Sequence, residues 1–93
     1  MIFHSNHQEI LRKAIDTWGV ADQINMAVGE CGEFLTLVGR KAQNRDTVED
    51  WISEISDVII MMEQMATIFG YDKVYEQIQL KMARLEDRIN SYK

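Results

Sequence analysis

Proline is absent from this chain of 93 residues, and glycine occurs only five times. Turn-rich β folds depend on these two residues, so their scarcity argues against strands and long loops. What is abundant instead is Met, Leu, Ile, Glu, Gln, Lys and Arg, which favour helices. We therefore predict an all-α protein, and residues 1–93 are enough for one small domain.

The sequence also lacks what disulfides, membrane spans and nucleic-acid binding require. Cys31 is the only cysteine, so no internal disulfide can form. The most apolar stretch, Val58 to Met62, is too short to cross a bilayer, and the N-terminal residues do not follow a secretion-signal pattern. Fifteen acidic against ten basic side chains argue against a nucleic-acid partner. These features predict a cytoplasmic protein with no membrane or nucleic-acid partner.

Four segments repeat apolar residues at helical spacing. The predicted helices are His7 to Trp18, Asp22 to Ala42, Asp46 to Phe69, and Asp72 to Ile89. Gly19 and Gly70 are the expected stops of the first and third helices. Asp46 and Glu49 form a capping-box pattern at the start of the third helix, and Asp72 is the predicted cap of the fourth. Residues 90–93 are expected to fray.

The short connections between these helices favour antiparallel neighbours, which predicts an antiparallel bundle of about four helices. Between Trp51 and Phe69, apolar residues occupy almost every direction around the third helix. A helix that is apolar all round has to be buried all round. The sequence therefore predicts a dimer or a higher oligomer.

Two pairs of acidic residues have the spacing of a shared helix face. Glu30 and Glu33 lie three apart in the second helix, and Glu54 and Asp57 lie three apart in the third. At about 100° per residue, the two pairs occupy matching directions on their helices, and apolar residues border both. Acidic pairs at this spacing most often face water.

Here the apolar neighbours make the solvated interpretation less favourable. An unpaired carboxylate in such surroundings costs several kcal/mol, and few basic side chains lie nearby on these two helices. A bound divalent cation is the simplest compensation, and four oxygen ligands favour magnesium, with manganese as the alternative. Zinc prefers histidine or cysteine ligands. The two histidines, His4 and His7, lie in the N-terminal segment, away from the acidic pairs.

Basic side chains recur along one flank of the fourth helix, at Lys81, Arg84 and Arg88. Alone, this basic ridge is typical of a solvated face. Beside a carboxylate-bound metal, it has the charge that a triphosphate requires. Cys31, between two acidic residues, is expected to be a small buried hydrophobe and not a nucleophile. A di-iron site is excluded because no glutamate has a histidine three positions later.

The pattern from Glu30 to Glu33, followed after twenty residues by Glu54 to Asp57, resembles the ExxE and ExxD signature of the MazG-like all-α nucleoside triphosphate pyrophosphohydrolases. The sequences Gln-Ile-Asn-Met before the first pair, Asp-Val-Ile-Ile-Met from the second pair, and Lys-Met-Ala-Arg-Leu in the last helix are also similar, so the resemblance covers roughly residues 18 to 89. Many relatives have a further glutamate where this chain has Gly29.

The resemblance implies hydrolysis between the α and β phosphates of a nucleoside triphosphate, with magnesium held by the four carboxylates of Glu30, Glu33, Glu54 and Asp57. It also implies a dimer or a tetramer. Carried over by position, Lys81 and Arg84 are expected to contact phosphate. We assign Glu33 the additional role of orienting the attacking water. The candidate contributors to a nucleobase wall are Trp18, Gln23 and Asn44.

Several alternatives stay open. Within the superfamily, the substrate is either a general nucleoside triphosphate, dUTP or phosphoribosyl-ATP, since all are hydrolysed on similar acidic helices. A different interpretation is a helical interaction module, whose Met-rich surface binds a partner while its acidic residues face water. Stabilisation by magnesium separates the two classes, because only a metal site responds to it.

Overall fold

The computed structural model describes residues 5–92, with Ser5 described by its backbone alone, and these residues form four helices and no strand. The helices are α1 (Ser5–Trp18), α2 (Val20–Ala42), α3 (Val48–Phe69) and α4 (Tyr71–Ser91). The prediction of an all-α fold is confirmed. None of the helices described is long and apolar enough to cross a membrane. His4 and Lys93 lie outside the described residues.

Single glycines separate two pairs of consecutive helices. Gly19 has φ 86° and Gly70 has φ 124°, a region of backbone conformation that side chains other than glycine rarely adopt. Both predicted stops are therefore confirmed. Because each following helix begins directly after its glycine, α2 starts at Val20, before the predicted start. Likewise, α4 starts at Tyr71 without a side-chain cap, so the prediction that Asp72 caps it is wrong.

The start of α3 has a capping box, one residue later than predicted. The backbone N–H of Asp50 donates to Thr47 Oγ1 at 3.1 Å, and the N–H of Thr47 donates to Asp50 Oδ2 at 3.3 Å. The pairing of Asp46 with Glu49 is therefore wrong. Asp46 instead accepts a hydrogen bond of 2.6 Å from the indole Nε1 of Trp51, which lowers the pKa of its carboxyl group.

The last helix lies at the side of the molecule. Among the described helices, α4 packs mainly on α3 and meets α1 only near its start, where Tyr71 contacts Gln8, and none of its residues is buried. It continues to Ser91, two residues beyond the predicted end at Ile89, so the prediction that Asn90 and Ser91 fray is wrong. The radius of gyration is 16.0 Å, compared with about 12 Å for a compact domain of this length. Within one chain, α1, α2 and α3 form the packed core, and the four helices do not close into a bundle.

The largest helix interface joins α2 and α3. Leu37, Ala27 and Met61 are buried in the core together with the amide side chain of Gln23. Residues 23, 27, 30 and 37 follow one another at helical spacing, so Glu30 lies on the face of α2 that packs inward. The face of α2 that carries the acidic residues therefore packs against α3. The most apolar face of α2 does not.

The apolar stripe of α2 is consequently left open. Val28 and Leu35 are 68% and 67% exposed, and Val38 is also exposed. Ile52 and Phe69 of α3 are exposed to a similar degree. A soluble chain rarely leaves so much apolar surface in water without a partner for it.

Candidate metal centre

The structure brings the two acidic pairs together across the α2–α3 interface. One carboxylate oxygen from each of Glu30, Glu33, Glu54 and Asp57 lies within 4.8 Å of the others. Glu33 is exposed, and the other three are half-buried. The spacing of three residues places each pair on one face of its helix, and the packing of the two helices places those faces opposite each other. We call these four residues the acidic cluster.

The acidic cluster is short of positive charge. Glu30 Oε2 and Glu54 Oε2 are both buried, and neither has a hydrogen-bond partner among the described residues. Burial raises the pKa of Glu30, and the nearby carboxylates of Asp57, Glu33 and Glu54 raise it further. The pKa of Glu54 is raised for the same two reasons. A buried acceptor without a donor is unfavourable, so these oxygens require a cation or a proton.

A divalent metal ion fits this donor set. All the donors are carboxylate oxygens, the ligands that magnesium and manganese prefer. The four donor oxygens lie within 4.8 Å of one another, so one ion could be shared among them after the side chains adjust. His7 lies in α1 and Cys31 is half-buried in α2, and neither belongs to the acidic cluster. The site therefore has no zinc-type ligand among the described residues.

The predicted phosphate contacts do not belong to the acidic cluster of the same chain. Lys81 and Arg84 are exposed on α4, where they line a shallow surface groove with Asp87 and Arg88. Among the described helices, α4 has no contact with α2. None of the charges that chiefly shift the pKa of Glu30 and Glu54 belongs to the described residues of α4.

The three candidates for a nucleobase wall lie in different environments. Trp18, at the end of α1, is 58% exposed. Asn44 is exposed in the α2–α3 loop, with a left-handed φ of 56°. Gln23 is 2% exposed, and its Oε1 accepts a hydrogen bond of 2.7 Å from Gln64 Nε2. Since Gln23 is enclosed between helices, the three residues do not share one accessible surface.

Two ionisable residues have positions that the sequence interpretation missed. Arg40, in the last turn of α2, is the basic group among the described residues whose charge opposes the raised pKa of Glu54. Glu63 is 2% exposed and lines an apolar cavity of about 400 Å³ between α3 and α4, where burial raises its pKa. The burial of Glu63 could have been predicted from the sequence, because this residue is an acid within the apolar segment of α3. Arg40 has no such signal in the sequence.

Comparison of this chain with protein-family models, with curated proteins and with solved structures finds no match. The functional argument therefore rests on the geometry of the acidic cluster and on the spacing of the residues that form it. Both point to the same four side chains.

Proposed function

We propose that this chain is a magnesium-dependent hydrolase that cleaves nucleoside triphosphates into the monophosphate and pyrophosphate. The observation that carries the proposal is the convergence of four carboxylates within 4.8 Å, two of them with buried oxygens that have no hydrogen-bond partner among the described residues. The resemblance of the two acidic pairs to the MazG-like signature supports this assignment and supplies the substrate class. Manganese is the expected substitute for magnesium.

The four carboxylates hold the cation, and their helices keep them in place. Magnesium, when bound, offsets negative charge on the phosphates and lowers the pKa of a coordinated water. The oxygen of water bonds to the α-phosphorus, and the bond from that phosphorus to the bridging oxygen breaks. The bridging oxygen leaves with pyrophosphate, and a carboxylate accepts the proton of the water. Glu33 suits this last role because it is the exposed member of the cluster.

Association of at least two copies is part of the proposal. The solvent-accessible surface is 7246 Å², about 1,700 Å² more than a folded monomer of this mass exposes. A standard interface buries about 800 Å² on each partner. The exposed apolar stripe of α2 and the exposed flank of α3 supply such surface. Each copy also carries the basic ridge on α4, which lines an exposed groove.

Product analysis by phosphorus NMR tests the catalytic proposal. The purified protein is incubated with a panel of ribo- and deoxyribonucleoside triphosphates, including dUTP, and with phosphoribosyl-ATP, either with magnesium or with a chelator. The proposal expects monophosphate and pyrophosphate products only with magnesium. The variant Glu54→Gln should abolish turnover, and Glu86→Gln, an exposed acid on α4, serves as the matched control. Release of inorganic phosphate from the γ position would contradict the assigned bond cleavage.

The exposed apolar surface favours a second candidate, a non-enzymatic interaction module. Such a module needs neither magnesium nor the partnerless oxygens of Glu30 and Glu54. If no member of the panel is hydrolysed and magnesium does not stabilise the protein, the interaction module replaces the hydrolase.

A further inference from the structure

Arg40 is a basic residue of the site for which the acidic pattern of the sequence provides no role. It lies in the last turn of α2, seven residues after Glu33, and therefore on nearly the same side of the helix as that carboxylate. Its positive charge lowers the pKa of Glu54, against the effects of burial and of the neighbouring carboxylates. Arg40 is thus within electrostatic range of the acidic cluster without belonging to it.

The guanidinium group of Arg40 has hydrogen-bonding capacity that residues 5–92 leave unused. Its Nε is buried and has no hydrogen-bond partner among the described residues. Its Nη2 lies 3.9 Å from Asp50 Oδ2, too far for a hydrogen bond, and that same oxygen accepts the N–H of Thr47. Since a guanidinium group has five N–H donors in a planar fork, Arg40 can donate hydrogen bonds to a further anionic partner.

Simple neutralisation of the acidic cluster does not explain this placement. An arginine that neutralised the cluster would form an ion pair with one of its carboxylates. In residues 5–92 the only ion pair of Arg40 is with Asp50, which lies outside the cluster. The side chain is also 42% exposed, so a ligand can reach it from solvent. The position of Arg40 therefore suits an anionic ligand that lies between the guanidinium group and the acidic cluster.

We propose that Arg40 binds the phosphate chain of the substrate, bridging it to the edge of the acidic cluster. This inference rests on the proposed function, because magnesium at the cluster is what brings phosphate oxygens next to Arg40. The planar fork of a guanidinium matches two phosphate oxygens at once. A lysine at this position would supply the charge without the two-point contact.

Calorimetric titration of inorganic pyrophosphate into the magnesium-loaded protein tests this assignment directly. The variants are Arg40→Gln and Arg40→Lys, and Lys41→Gln is the matched control. Lys41 is the adjacent cation in the same turn of α2, and its ion pair of 3.7 Å is with Asp46 in the loop. Removing it changes the net charge of the protein by the same amount as Arg40→Gln.

We expect Arg40→Gln to weaken pyrophosphate binding at least tenfold, Arg40→Lys to restore part of it, and Lys41→Gln to leave it unchanged. The affinity for magnesium alone should not fall in Arg40→Gln, since that variant removes a cation from beside the carboxylates. In turnover, the Arg40→Gln variant should raise KM more than it lowers kcat, because the contact is made in the bound substrate as well as in the transition state.

The results also distinguish this inference from the proposed function. If the wild type hydrolyses nucleoside triphosphates but Arg40→Gln binds pyrophosphate equally well, the assignment of Arg40 is wrong and the hydrolase stands. If Lys41→Gln weakens binding as much as Arg40→Gln, a general charge effect replaces the specific contact. If the wild type binds pyrophosphate with magnesium and through Arg40 but cleaves none of the substrates, the Arg40 site stands and the hydrolase does not. Absence of any pyrophosphate binding to the wild type overturns the Arg40 assignment.

Discussion

Replacing Glu54 by Gln changes the acidic cluster with little change in side-chain shape. The substitution removes one of four like charges held within 4.8 Å of one another and one charged ligand for the metal. Without metal, the variant should unfold at a higher temperature than the wild type, because the remaining carboxylates repel one another less. With magnesium, the wild type should gain stability and the variant should gain almost none.

The expected size follows from linkage between metal binding and folding. At magnesium concentrations 100 times the dissociation constant, binding stabilises the folded state by about 2.7 kcal/mol. For a domain of this length, this corresponds to a rise in Tm of about 10 to 20 °C. If Glu54→Gln weakens magnesium binding about 100-fold, the same concentration contributes about 0.4 kcal/mol, a rise of about 2 to 3 °C.

Differential scanning calorimetry at fixed protomer concentration measures both effects, with chelator and with magnesium. Fixed concentration is required because association also shifts Tm. Glu86→Gln is the control, since it removes one carboxylate charge from the exposed face of α4. If Glu54→Gln retains the magnesium response of the wild type, the acidic cluster is not the metal site and the reasoning is refuted.

Three further predictions follow from burial and exposure. In chelator, Tm should fall as the pH rises above about 4.5, because the folded state keeps protons on Glu30 and Glu54 that the unfolded state has lost. Magnesium should remove this pH dependence. A pH-independent Tm in chelator would contradict the raised pKa values of these two residues. Leu37→Ala, at a residue with 0% exposure, should lower the free energy of unfolding in urea by about 3 to 5 kcal/mol. Leu35→Glu should convert an oligomer into a 10.8 kDa monomer by light scattering, whereas Thr36→Glu should not.

Helix positions could be predicted well from the sequence, because helical periodicity and glycine stops are local properties of the chain. Gly19 and Gly70 mark their boundaries through positive φ, which requires no knowledge of the fold. The start of α3 was displaced by one residue because Asp46 has a hydrogen bond to Trp51 in place of a capping role. That choice between two neighbouring caps depends on side-chain packing that spacing alone does not contain.

The face of α2 that packs within the chain could not be predicted from hydropathy. The apolar stripe with Val28 and Leu35 is exposed, and the face with Gln23 and Glu30 packs against α3. Hydropathy favours burial of the face with Val28 and Leu35, whereas within one chain the face with Gln23 and Glu30 is the one that packs inward. The two agree if the apolar stripe is buried between copies, which is the oligomer that we propose.

By itself, the sequence determined that the chain is helical, where its first three helices end, and that each acidic pair shares one helix face, since all three follow from short-range backbone geometry. Only the tertiary structure decided that the two pairs meet within 4.8 Å and that Arg40 lies within electrostatic range of Glu54. The reason is that distances between helices depend on how their faces pack against each other. That packing is a property of the whole chain and not of any one helix.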